Sequence, residues 1–134
     1  MSLTLTDQDK LTLRTAAYGA VSLLAAAGAA GGSPHRIATD GSVALASATG
    51  PIGHVLADKT KGVNLNGKSV AELADQVLPA LTEAMGLLRK QAPAEADNFR
   101  STVILAVEAA IQRGEPSPTL ADMTHKITGA LDAA

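Results

Sequence analysis

The sequence predicts an all-α protein: a single-domain bundle of five or six helices over residues 1–134, with a central Ala-rich N-terminal helix. Three observations predict it. The chain holds 27 alanines but one tyrosine, one phenylalanine and no tryptophan. Alanine is the strongest helix former and a poor strand former. Apolar residues recur at helical spacing along most of the chain. Charge is also unevenly spread: the 43 residues from Thr15 to Ala57 carry only Arg36 and Asp40, whereas the 77 from Asp58 to Ala134 carry 18 charges. So uncharged a third of the chain has to be hidden, in the protein's own core or against a partner. A chain of this mass buries roughly two-thirds of its unfolded surface, enough for one core.

The first helix is expected over about 7–28. Thr6 can cap it, with Asp7 and Asp9 favoured by the dipole in the first turn. Leu13, Ala17, Ala20, Leu24 and Ala27 then form a stripe with Val21 beside it, and Leu11, Tyr18 and Leu23 lie off it. A helix apolar around so much of its circumference is usually central. Gly28 and Gly31-Gly32-Ser33-Pro34 are expected to end it, with glycine as a left-handed cap and proline as the stop.

The next segment is expected over about 41–60, capped by Asp40 and broken at Gly50-Pro51 into two pieces or one kinked helix. The rival pattern is a hairpin over 36–45 turning at Asp40-Gly41, because Asp-Gly favours tight turns. The third helix, about 69–90, opens on the capping-box pattern Ser69-Val70-Ala71-Glu72 and carries the stripe Val70, Leu73, Val77, Leu81, Ala84 and Leu88. Pro79 is expected to kink or split it. Pro93 starts a fourth helix over about 93–113, with Phe99, Val103, Ala106, Val107, Ala110 and Ile111 on its inner face. Ser117-Pro118 starts the last, about 118–132, with Leu120, Met123, Ile127 and Leu131 inward. The stripes of the third and fourth helices are expected to pack on the first.

Composition then narrows the function classes. A net charge of −2 and a pI near 5.8 provide no basic footprint for nucleic acid. The loop lysines Lys59, Lys61 and Lys68 have no aromatic neighbour for stacking on bases. With no cysteine there is no disulfide, thiolate metal site or cysteine nucleophile. The most apolar run, Ala16 to Ala30, is 15 residues, short of the roughly 20 that span a bilayer. The leader Met1 to Arg14 mixes Asp7 and Asp9 with Lys10 and Arg14, unlike a secretion signal. A cytoplasmic protein with no membrane segment is expected. Gly28 to Ser33 has neither the lysine nor the preceding strand of a phosphate-binding loop.

His54 is the residue that most invites chemistry, since Asp58 follows it at i+4 on the same helical face. The pair could orient an imidazole or supply two metal ligands, but a helical metal site needs further ligands that the sequence does not place. Histidine phosphotransfer domains carry a lysine after their histidine where this chain has Asp58, so no family resemblance is drawn. Asp122 and His125 read as a solvated pair near a helix end. No catalytic residue, metal site or cofactor is assigned. The expectation is a non-enzymatic interaction or scaffold protein, a homodimer joined through Thr15–Ala57, with Ile37, Val43, Leu45 and Ile52 as interface candidates. The alternative is a ligand-binding or enzymatic helical domain using His54 and Asp58.

Overall fold

The computed structural model describes residues 4–28, 34–58, 62–63, 65, 69–113 and 118–134. They form six helices: α1 (Asp7–Ala27), α2 (Pro34–Ala46), α3 (Gly50–Ala57), α4 (Val70–Gln91), α5 (Pro93–Arg113) and α6 (Pro118–Asp132). No strand occurs among the described residues, so the Asp40-Gly41 hairpin is replaced by a helix running through both.

α1 is the hub and packs against all five other helices. Its start follows from side-chain chemistry. Thr6 Oγ1 accepts the Asp9 N–H at 3.0 Å, and the Asp9 carboxylate accepts the Thr6 N–H at 3.1 Å. The two side chains thereby satisfy two amides that the helix itself cannot. Leu13, Ala16, Ala17, Leu23 and Leu24 are fully buried, and Tyr18, Ala20 and Val21 nearly so. At its C-terminus Gly28 has φ −84° and donates to Leu24 O. The cap is therefore right-handed, not the left-handed one expected. The Gly31 to Ser33 stop lies outside the described residues.

Two glycines set the layering around α1. A Cβ at Gly19 would lie 2.8 Å from Val77 Cγ2 on α4, and one at Gly41 on α2 would lie 2.8 and 2.9 Å from the γ-carbons of Val21. Residues 19 and 21 point about 200° apart around a helix. α1 is thus held between α4 on one side and α2 on the other, with a valine seated over a glycine at each crossing. α5 packs chiefly on α2, and α6 on α4. α4 and α5 both pack on α1, as their stripes lead one to expect.

α2 begins at Pro34, well before the start at 41 that an Asp40 cap predicts, because proline is tolerated at the first helical position, where a missing N–H costs nothing. Asp40 therefore lies midway along α2 rather than at its start. The break before α3 falls at 47–49, followed by Gly50 at φ +70°, a conformation that glycine adopts without penalty. Pro51 sits inside the first turn of α3.

Pro79 does not split α4, which continues for 22 residues with the proline exposed. Ser69 Oγ accepts the Glu72 N–H at 3.2 Å, and Arg89 and Lys90 occupy the last turn as the dipole favours. Arg89 also donates to Ala134 O. Thr82 donates to Ala130 O at 2.7 Å, and Arg100 grips Asp132 through Nε at 2.9 Å, fixing α6 to α4 and α5. That hydrogen-bonded fork holds the Asp132 carboxyl below its usual 3.8. Ile111 is corrected from the inner face of α5 to the surface, at 48% exposure, while Phe99 is fully buried.

The short α3 is fastened to α1 by Tyr18, whose hydroxyl donates to Leu56 O at 2.8 Å in the interior. Burial raises the Tyr18 pKa above its usual 10.0. The neutral phenol therefore contributes stability in full below pH 10, and that contribution is lost as pH rises through the raised value. Tyr18→Phe should lose about 1 kcal/mol, the net value of one such bond. Urea unfolding at pH 7 and above pH 10 would test both points: the variant's deficit should shrink at the higher pH.

Candidate functional site

His54 lies on α3 and Asp58 caps its C-terminus, but the structure does not join them. Both are exposed, and no hydrogen bond or ion pair links them among the described residues. Asp58 turns instead toward α1, where its Oδ2 lies 3.8 Å from Arg14 Nη1. Arg14 is the unexpected member. Its side chain is only 10% exposed, whereas that of Asp58 is 57% exposed. Arg14 precedes Tyr18 by one helical turn, so the off-stripe tyrosine already marks the face that buries it.

Around these residues the ends of α1 and α3 enclose two adjoining clefts. One, of about 390 Å³, is lined by Thr4, Lys10, His54 and Asp58 among others. The second, also about 390 Å³, adds Asp7, Arg14 and Gly62 and shares Lys10 and Asp58 with the first. Lys10 and His54 thus line the first cleft with Asp58, and Lys10 and Arg14 line the second with Asp7 and Asp58. Among the described residues no group of three or more His, Asp or Glu is placed to hold a metal ion. The loop lysines Lys59, Lys61 and Lys68 lie outside the described residues.

The four interface candidates do not make one surface. Ile37, Leu45 and Ile52 are fully buried and belong to the core of the chain itself. Each sits where α2 or α3 turns toward α1 and α5, so an apolar side chain there is already covered. Val43 alone is exposed, at 65%. It faces Leu105 of α5, 47% exposed, across a groove of about 430 Å³ that Asp40, Ala44, Glu108 and Gln112 also line. Leu105 escaped the sequence reading, although a signal was available. From Ser101 to Gln112 α5 carries only one charge, Glu108, and the fold lays this second charge-poor segment beside the first.

No helix of the described residues is long and apolar enough to cross a membrane. No protein-family model, curated protein or solved structure matches the chain.

Proposed function

We propose that the protein is a non-enzymatic interaction protein of the cytoplasm that pairs with a second copy of itself through the α2–α5 groove. The observation that carries this is the placement of Val43 and Leu105. Large exposed hydrophobic residues are few among the described residues, and these two stand on opposite walls of one groove. An apolar floor with a charged rim is the usual anatomy of an interface. The charged residues lining the groove are Asp40 on α2 and Glu108 on α5, and Arg36 stands one turn from Asp40, outside the lining. A two-fold interface sets the same patch against itself, so Arg36 of one copy can pair with these acids of the other.

Val43→Asp with Leu105→Asp tests the reading. Both positions are exposed, so the fold should change by no more than about 0.5 kcal/mol. Sedimentation velocity at tens of micromolar should show a dimer for the native chain and a monomer for the double variant. A native chain that sediments as a monomer there would sink the proposal.

A further inference from the structure

The α2–α5 groove also has beside it the charges that would orient a second copy, and its two acids are not equivalent. Asp40 already interacts within its own chain, whereas neither Glu108 nor Arg36 has an ion pair or side-chain hydrogen bond among the described residues. These two are exposed and opposite in sign. The directions of the helices place them. Thr49, just past the end of α2, accepts from Asn98, while Asp40, Val43 and Ser47 line the groove with Leu105, Glu108 and Gln112. α2 and α5 therefore run in opposite directions. Thr49 is six residues after Val43 and Asn98 seven before Leu105, so Val43 and Leu105 stand about level. At about 1.5 Å per residue, Arg36 lies about 10 Å from Val43 along α2, and Glu108 about 4.5 Å from Leu105 toward the same end.

We propose that the two-fold axis of the pair lies along this groove and that Arg36 of one copy binds Glu108 of the other; the inference rests on the pairing proposed above. Such an axis sets α2 of each copy over α5 of its partner and keeps every residue at its own height. Val43 then meets Leu105 of the other copy, twice over. Arg36 stands about 6 Å along the helices from Glu108 of the other copy, a gap that two long side chains close. An axis across the groove at the level of Val43 would instead lay α2 on α2 in reverse, with the same two charges about 15 Å apart along the helices. Charges at an interface rim fix register and exclude wrong pairings more than they add affinity. Here the ion pairs set the orientation, and the contacts of Val43 with Leu105 supply the association.

Reversing one charge at a time tests the pair. Arg36→Glu and Glu108→Arg should each weaken self-association by about tenfold or more in sedimentation velocity, because two attractions become two repulsions. Both positions are exposed, so each variant should keep the native helix content by circular dichroism. Mixed in equal amounts, the two variants should associate with each other to within about threefold of the native strength, since arginine again faces glutamate at both ends. Asp40→Asn should leave association within about twofold of native. A mixture no stronger than its components overturns the proposal. So do single reversals that pair like the native chain, or an Asp40→Asn effect as large as that of Glu108→Arg. In each of those cases a native dimer still stands, and with it the use of the groove. A native chain that stays monomeric overturns both.

Discussion

Replacing Phe99 by alanine should remove about 3–5 kcal/mol of stability, the usual loss for a fully buried aromatic ring. Domains of this kind are stable by only about 5–15 kcal/mol, so the variant should be close to unfolding at physiological temperature. Phe99 is the only phenylalanine of the chain, and it is fully buried in a core made, apart from Tyr18, of alanine, valine, leucine, isoleucine and methionine. Small neighbours on helix backbones cannot flow into the space a ring leaves, and a cavity that does not collapse carries the larger penalty. Thermal unfolding followed by circular dichroism should show a fall of roughly 10–20 °C. A fall of only two or three degrees would mean that the α5 layer is looser than its burial indicates.

Gly41→Val should be nearly as damaging, for the opposite reason. The new side chain would start from a Cβ within 3 Å of both Val21 γ-carbons, and overpacking of this kind typically removes about 1–3 kcal/mol. Val21 is β-branched and held in one rotamer by its helix, so it cannot swing aside. The discriminating measurement is the double variant Val21→Ala with Gly41→Val, which exchanges the large and small partners at the crossing. It should recover more than about 1 kcal/mol relative to the sum of the singles, as contacting residues do in a double-mutant cycle. Strict additivity would show that the helices separate rather than clash.

Much of the architecture was legible because one-dimensional signals govern it. The Thr6 cap, the Ser69 cap, the Pro93 and Pro118 starts and the stripe of α4 each depend on residues within a few positions. Asp40 and Pro34 misled for a physical reason. Both residues are ambiguous locally, and the burial of Ile37 and Leu45 on either side of Asp40 decides for a helix. Pro79 misled because an exposed proline leaves the lost hydrogen bond to water, so packing on α1 can carry the helix through.

The sites were harder to read. His54 and Asp58 could be placed on one face, but Arg14 claims the aspartate from another helix 44 residues away. Likewise the apolar residues of α2 were visible, whereas their division into core and surface depends on α5. Val43 and Leu105 line one groove because α2 packs along α5, and the Asn98 amide of α5 donates to Thr49 O, at the cap of α3, at 3.1 Å.

The position of α1 has a consequence for synthesis. It leaves the ribosome ahead of the other five helices, and beyond Arg14 it carries no charge. Its partners on one side, α4 and α6, are complete only at Gln91 and Asp132. At translation rates of about 5–20 residues per second, α1 therefore waits roughly 5–20 s before its full surroundings exist. During that interval its apolar surface is available to chaperones and to other nascent chains, so the yield of folded protein should depend on how fast the C-terminal half is made.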